Sequence, residues 1–316
     1  MVRIATLLLA AALLAALAPR PGGESGPRFA LGVLRRDGAL LPFASFDGSW
    51  SVQWPYGLVN LPISIDSVPK KWWGAPGPGG RWTAWLGDDT QRPLKLQKLR
   101  SLSVFCDMRL AIQTDYMGAT FDLREPTVPK DGVAIAGDAA LLPVTTVSVN
   151  APDARDLVKA IADAFNEEER LASRRFTRWK HPYDEAQRRT FPIVIEAFYR
   201  ARDTTTRGAW DTTFVEAVRT FPPGEKDEGC GLITYASGWV RQQAGREPDV
   251  DLGARVTYCD REGVSFMQPF GRLRLKDEIY WVYQLSSWRD EAYVVTRVRP
   301  KESKPVVAVS GGSCPR

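Results

Sequence analysis

The chain has 316 residues, a formal net charge of +5, 44% hydrophobic residues and 25% charged residues. These proportions are close to those of an average globular protein, so they exclude a disordered chain, a coiled coil, collagen and a membrane protein with several spans. The 26 glycines and 23 prolines favour turns over long helices, and the 11 tryptophans are the one marked excess. Basic and acidic residues are interspersed, whereas a nucleic-acid binder needs a basic stripe or patch, so no nucleic acid is expected as a partner.

The first residues have the pattern of a secretory signal peptide, which we place at residues 1–18. A short basic start precedes an almost unbroken apolar run over residues 4–17. Ala18 completes a small-x-small cleavage pattern, but Pro19 is unfavourable directly after a cut, so cleavage is expected anywhere from 18 to 27. The run is shorter than the ~20 residues that cross a bilayer, so no stable transmembrane segment is expected. The sequence predicts an exported protein, periplasmic or extracellular.

Export places the cysteines in an oxidising compartment, where disulfides are the default. The four cysteines allow three pairings, and they are Cys106, Cys230, Cys259 and Cys314. We favour Cys230–Cys259, because the two residues flank a predicted hairpin, and this leaves Cys106–Cys314. If the hairpin closes symmetrically about residues 245–247, Cys259 faces Ile233, and that offset exceeds the ~7 Å reach of a disulfide. The sequence has no CxxC motif and no Cys/His cluster, so neither a metal site nor a cofactor is expected.

Helical periodicity is convincing only once, over residues 151–175. Asn150 can cap this helix, and a proline in the first turn suits a helix start. Apolar residues recur on one face at Leu157, Ile161, Phe165 and Ala172. Asp163, Glu167 and Glu169 are expected to face water. Such an amphipathic helix needs an apolar surface to cover, so we expect it to pack against a sheet.

Most of the remaining chain has the composition and turn spacing of β-strands. The C-terminal candidates are 193–201, 210–221, 232–243, 250–259, 264–270, 279–285 and 293–298, and they predict an antiparallel meander. The N-terminal candidates are 29–35, 40–46, 82–86, 94–105 and 110–116, with loops at 55–81 and 118–138. The predicted fold class is therefore a β-rich α+β fold with antiparallel sheets and one main helix. We predict a β-rich N-terminal domain at 28–149 with a Trp-rich loop, and a helix plus meander domain at 150–316.

Six tryptophans lie in or beside the Trp-rich loop, and they are Trp50, Trp54, Trp72, Trp73, Trp82 and Trp85. Exposed indoles can cover the face of a sugar, although β-rich domains also use tryptophan in their cores. Neighbouring side chains on a strand point to opposite faces, so Trp72 and Trp73 cannot both easily enter one core. The predicted ligand-binding surface consists of Lys70, Lys71, Trp72, Trp73, Trp82 and Trp85. Replacing Trp72 and Trp73 together is expected to weaken ligand binding and to leave the melting temperature nearly unchanged.

No catalytic residue is assigned. His181 is the only histidine and lies in a polar stretch, where a surface or capping role is expected. Histidine is the usual general base at neutral pH, so its scarcity argues against most hydrolase mechanisms. The acidic groupings all lie where turns are expected, and turns favour aspartate for backbone reasons. These groupings are Asp88-Asp89, Glu225 with Asp227 and Glu228, Asp249 with Asp251, and Asp260 with Glu262.

The favoured function is a non-catalytic binding module for a glycan, a cell-envelope component or a protein partner. The alternative is a carboxylate-dependent hydrolase of extracellular polysaccharide, which needs two carboxyl groups at about 5 Å or about 6.5–9.5 Å. Such a pair beneath exposed tryptophans would favour the hydrolase, whereas buried tryptophans and solvated turn acids would favour the binder. A third hypothesis is a structural subunit whose N-terminal loops dock onto a neighbour, which an exposed apolar patch would support. The oligomeric state is left open.

Overall fold

The computed structural model describes residues 26–55, 64–87, 89–122, 127–175, 181–202, 210–223 and 230–315. The predicted signal peptide lies outside these described residues. Within them, no helix combines the length and the apolar character that a membrane span requires.

The first eight strands form sheet 1. They are β1 (Arg28–Arg35), β2 (Ala39–Asp47), β3 (Trp50–Ser51), β4 (Trp82–Leu86), β5 (Gln91–Leu94), β6 (Leu96–Val104), β7 (Asp107–Thr114) and β8 (Lys130–Gly137). Their spatial order is β5-β4-β8-β1-β2-β7-β6, with β3 beside β2. Strand β8 lies in the centre of the sheet, so the prediction of a loop over 118–138 is wrong there. Its Gly132 permits close strand packing, since a Cβ atom at this position would lie 2.0 Å from the Trp85 carbonyl oxygen.

The rest of the described chain forms two more antiparallel sheets and a helix. Sheet 2 contains β9 (Thr145–Thr146), β10 (Val194–Ala201), β11 (Trp210–Thr220), β12 (Leu232–Gln243) and β13 (Asp249–Tyr258), in the order β13-β12-β11-β10-β9. Sheet 3 is the meander β14 (Phe266–Leu275), β15 (Glu278–Ser286), β16 (Asp290–Arg299) and β17 (Glu302–Ser313). Helix α1 spans Arg155–Arg175 after a 3-10 turn at Pro152–Ala154, and α2 is the short helix Glu185–Arg188. The predicted fold class is confirmed.

Sheet 3 is the middle layer of the molecule. Along β15, Tyr280 and Val282 join the core that sheet 3 shares with sheet 1. Trp281 and Tyr283 alternate with them and join the core shared with sheet 2. Because both faces are covered, the strand is an almost continuous apolar run. Sheet 1 ends at Gly137 and sheet 2 begins at Thr145; the domain division at residue 150 stays a prediction.

Helix α1 covers the outer face of sheet 2, where Leu157, Ile161 and Phe165 share one core with strand residues. The prediction that Glu169 faces water is wrong, because it is 2% exposed. It follows Phe165 by about one helical turn, and its carboxylate binds the buried Arg219. Asn150 does not cap the helix, since the N-cap residue of the first turn is Ala151, which makes no side-chain cap.

The structure contains the two disulfides Cys230–Cys259 and Cys106–Cys314, with Cα–Cα distances of 5.6 and 4.7 Å. Strands β12 and β13 pair Arg241 with Asp249, so the hairpin is centred on Gly245, which has a φ of +74°. This centre lies one residue before the centre at 246 that the sequence analysis used. As a result, the Cys259 N–H donates to the Gly231 carbonyl at 3.1 Å, and Cys230 is only one residue away from that partner. The offset between the two cysteines that the sequence suggested is therefore absent.

Candidate binding groove

The tryptophans of the predicted ligand-binding surface mainly cover the outer face of sheet 1. Residues Lys70–Trp73 form a 3-10 turn, so the alternation of side chains along a strand does not apply to them. Trp73 is 3% exposed, and its ring centroid lies 5.7 Å from that of Trp54. Trp72 is half-buried against the same ring at 6.1 Å. Both tryptophans therefore pack on one side of the sheet.

The other members of that surface are divided between core and solvent. Trp82 is buried in the same cluster as Trp73, and Trp85 is half-buried. Lys70 and Lys71 are exposed. The ligand-binding role of these residues stays a prediction, but the rings expose little surface for it.

The burial of Trp73 reverses the stability outcome expected from the sequence. We expect Trp73→Ala to lower the free energy of unfolding by about 3–5 kcal/mol, the usual cost of removing a core aromatic ring. Trp72→Ala should cost roughly half as much, because that ring is only half-buried. Urea unfolding followed by circular dichroism measures both variants. Equal, small losses would mean that neither ring belongs to the core.

His181 is buried rather than at the surface. Its Nδ1 accepts the Tyr183 N–H at 3.1 Å, and its ring packs edge-on against Phe221 at 4.8 Å. Burial, followed by the charge of Arg188, lowers its pKa to about 4. The imidazole is therefore neutral at pH 7 and caps a turn, as the capping hypothesis expects.

The described acidic groupings are solvated or paired. Asp249 and Asp251 lie 2.8 and 3.5 Å from Arg241, while Asp260 and Glu262 are exposed at a turn. Asp88 and the acidic residues at 225–228 lie outside the described residues. In the described part of the chain, no three His, Cys, Asp or Glu side chains are placed to hold one metal ion.

A groove of about 570 Å³ runs along β13. We call it the edge groove, because β13 is the outermost strand of sheet 2. One side is formed by Glu168 and Arg175 of helix α1, and the other by the segment 263–265 and the end of β15. The groove therefore lies where the layers on both sides of sheet 2 reach its edge.

Three rows of side chains cross sheet 2 beside the edge groove. The register aligns them as Val218–Tyr235–Arg255, Glu216–Ser237–Gly253 and Phe214–Trp239–Asp251. The middle row has the smallest side chains on β12 and β13, and a Cβ atom added at Gly253 would meet only open space. This small row gives the groove its depth.

Glu216 is the buried acid beside the groove, at 4% exposure. Its carboxylate accepts the Met267 N–H at 2.6 Å, which ties the start of β14 to sheet 2. The Tyr235 hydroxyl lies between this carboxylate and the Ser265 carbonyl, which is 3.2 Å away. Burial raises the pKa of Glu216 to about 7, against the opposing effect of the Met267 hydrogen bond. A carboxyl group that titrates at neutral pH is a common feature of functional sites.

The raised pKa of Glu216 predicts a pH-dependent stability. The folded state holds this proton up to about pH 7, whereas the unfolded chain releases it near the ordinary glutamate pKa of 4.5. The folded state thus binds more protons between these values, so its stability falls as the pH rises through that window and is level above it. Wild-type protein should lose about 3 kcal/mol between pH 4.5 and 7 relative to Glu216→Gln. Urea unfolding at pH 5, 6, 7 and 8 measures the difference; parallel profiles would contradict it.

The outer side of β13 carries backbone groups that pair with no described strand, and its Ala254 lines the groove. Because the Cys259 N–H bonds to β12, the odd-numbered residues of this strand point their N–H and C=O groups inward. Val250, Leu252 and Ala254 therefore point theirs outward. Among the described residues, no strand pairs with this side of β13. An unpaired edge of this kind is a template for another chain.

Comparison with known proteins adds no relative to this picture. The chain matches no protein-family model, no curated protein and no solved structure. The function is therefore inferred from the geometry and chemistry of the edge groove.

Proposed function

We propose that this protein is a non-catalytic binding module that holds an extended segment of a partner protein along β13. In strand addition, main-chain hydrogen bonds supply affinity and pockets for alternate side chains supply specificity. The observation that carries the proposal is the open outer side of β13 beside a groove of about 570 Å³.

Strand β13 lacks three of the devices that protect sheet edges, and the one it carries is a set of charged side chains. Natural edges are kept short, bulged or interrupted by proline. Edge strand β5 has four residues and contains Pro93, and β14 contains Pro269 and a register shift before Gly271. By contrast, β13 has ten residues, no proline and ten consecutive pairs with β12 without a shift.

The groove suits a peptide better than a sugar. Its four aromatic side chains are all buried, so they do not offer the open ring faces on which sugars stack. They are Phe214, Tyr235, Trp239 and Tyr283. Its charged lining is balanced, with Glu168 and Asp251 against Arg175 and Arg255. A balanced lining does not favour a polyanion or a polycation. Among the partner classes considered, a protein segment is therefore the best match.

Panning random peptides of about ten residues against the protein tests this proposal. The variant Ala254→Pro removes an outward N–H and leaves the inward bonds to β12 in place. The control Glu247→Ala changes an exposed residue of the turn before β13, outside the groove lining. We expect peptides to bind wild type and the control, and to bind Ala254→Pro at least about tenfold more weakly, since one main-chain bond is lost and the proline ring blocks the close approach of the added strand. Equal binding to all three, or selection of no peptide, would overturn the proposal.

A carboxylate-dependent hydrolase is the second candidate, and the pKa of Glu216 near 7 favours it. Glu196 on the neighbouring strand β10 is nearer to Glu216, but Arg261 binds both of its oxygens at 2.6 Å. In the groove lining, the nearest carboxylate across the sheet is Asp251, two strands away and two residues along. Strand geometry separates the two Cα atoms by roughly 12 Å, so the side chains would have to converge to reach the spacing of a glycosidase. Reducing-sugar release from polysaccharides by wild type, lost in Glu216→Gln, would favour the hydrolase over the binder.

A further inference from the structure

We propose that the segment bound along β13 is β13 of a second copy of this chain, so that two copies of sheet 2 join into one continuous antiparallel sheet. The inference rests on the proposed function, because it names the partner of the same edge. A two-fold axis through Leu252 would relate the copies, as in the commonest class of homodimer.

The backbone of β13 has the polarity that this pairing needs. With the axis at Leu252, that residue faces its own copy, and Val250 faces the partner's Ala254. These are the residues whose N–H and C=O groups point outward. They would therefore form the hydrogen-bonded pairs of the new ladder.

The side chains of β13 are complementary to themselves in this register. It places Asp249 opposite the partner's Arg255, twice by symmetry. These positions are non-hydrogen-bonded pairs, whose Cα atoms approach to about 4.5 Å, so the charges meet closely. The Asp249 side chain is 52% exposed and already bound to Arg241 at 2.8 Å. The Arg255 guanidinium donates to the Gly263 carbonyl at 2.6 Å, so each new pair shares groups that have a partner within their own chain.

Charge also limits the alternative registers. Moving the axis to Gly253 places Asp251 opposite the partner's Arg255, which is again attractive. Moving it to Asp251 places that aspartate opposite its own copy, which is repulsive. The registers centred on Leu252 and Gly253 therefore each gain pairs of opposite charges, whereas the register centred on Asp251 is disfavoured.

The apolar face of the strand would continue across the axis. Val250, Leu252 and Ala254 pack in the core between sheet 2 and helix α1. In the joined sheet each lies beside an apolar residue of the partner. The two copies of helix α1, which packs mainly on β13, would then be neighbours across the axis.

Sedimentation equilibrium of the full chain at about 1–100 µM, the range of weak homodimers, tests the proposal with charge-swapped variants. The average mass of wild type should rise with concentration toward twice the mass of one chain. Arg255→Asp and Asp249→Arg should each raise the dimer dissociation constant at least about tenfold, and an equimolar mixture of the two should restore a heterodimer. The matched control Glu262→Arg reverses an exposed charge in the turn after β13 and should leave the dimer intact. Circular dichroism verifies that each variant is folded.

The outcomes separate this inference from the proposed function. A wild-type monomer throughout the range overturns the second-copy partner, and peptide panning then decides the proposed function by itself. A dimer that Arg255→Asp and Ala254→Pro leave unchanged shows that another surface forms it, and also overturns the inference. Failure of the mixture to dimerise, with both variants folded, contradicts the register.

Discussion

Replacing Glu291 by glutamine is expected to lower the free energy of unfolding by about 3–5 kcal/mol. Glu291 lies between sheets 1 and 3, where its side chain and that of Lys130 are only 1% and 2% exposed. The Lys130 ammonium group binds the carboxylate directly, and the hydroxyl of buried Tyr293 donates to it. The substitution leaves a buried ammonium group without its counter-charge, which is the costly way to break such a pair.

The pH dependence of Glu291→Gln identifies the unpaired lysine as the cause. Burial lowers the pKa of Lys130 and the charge of Glu291 raises it, so the substitution lowers this pKa further. The folded variant then binds fewer protons than the unfolded chain below the ordinary lysine pKa of about 10.4. Its stability should therefore rise with pH from neutral toward pH 10, relative to wild type.

A double-mutant cycle with Lys130→Met provides the control. Removing both charges leaves no unpaired ion. The free energy of unfolding of the double variant Lys130→Met with Glu291→Gln should therefore exceed the value expected from adding the two single losses by at least about 1 kcal/mol. Urea unfolding at pH 7 measures all four proteins. Additive losses, or a Glu291→Gln protein as stable as wild type, would contradict a tightly coupled buried pair.

Removing the Cys106–Cys314 disulfide is expected to have the second large effect. The bridge joins residues 208 positions apart, whereas Cys230–Cys259 spans 29 positions. The chain-entropy model gives roughly 5 kcal/mol for the long loop and about 3.6 kcal/mol for the short one. The long bridge also ties the end of sheet 3 to the β6–β7 turn of sheet 1.

The two double serine variants form a matched pair for this prediction. Cys106→Ser with Cys314→Ser should unfold at lower urea than Cys230→Ser with Cys259→Ser, with a difference of about 2 kcal/mol. Wild type in reductant should lose more than either variant. The reverse order of the two variants would mean that loop length does not govern these bridges.

The sequence predicts strands best where polar turns separate apolar runs, and the predicted 82–86 coincides with β4. It fails where a strand carries turn-forming residues for a packing reason. Strand β8 contains Gly132 because the Trp85 backbone is too close for a side chain. Strand β17 was not predicted, since Pro305 and its glycines resemble a loop. Both failures come from tertiary contacts that override local preference.

The candidate site depends on information that local patterns do not carry. The row Glu216–Ser237–Gly253 exists only because of the register of three strands. The helical pattern alone places Glu169 on the water-facing side of α1. In the structure it is buried, because Arg219 of sheet 2 binds its carboxylate. An extended chain would turn either Trp72 or Trp73 away from the core. The 3-10 turn instead places Trp73 in the core. Register, long-range ion pairs and turn type are each set by the folded whole.

Amide hydrogen exchange along β13, resolved by residue with NMR, tests the open edge most directly. In dilute protein, the outward amides of Leu252 and Ala254 should exchange rapidly, while the inward amides of Asp251 and Gly253 are protected. The outward amides should become protected as the protein concentration rises or a selected peptide is added. Protection of the outward amides in dilute protein alone, or rapid exchange under every condition, would contradict a binding edge at β13.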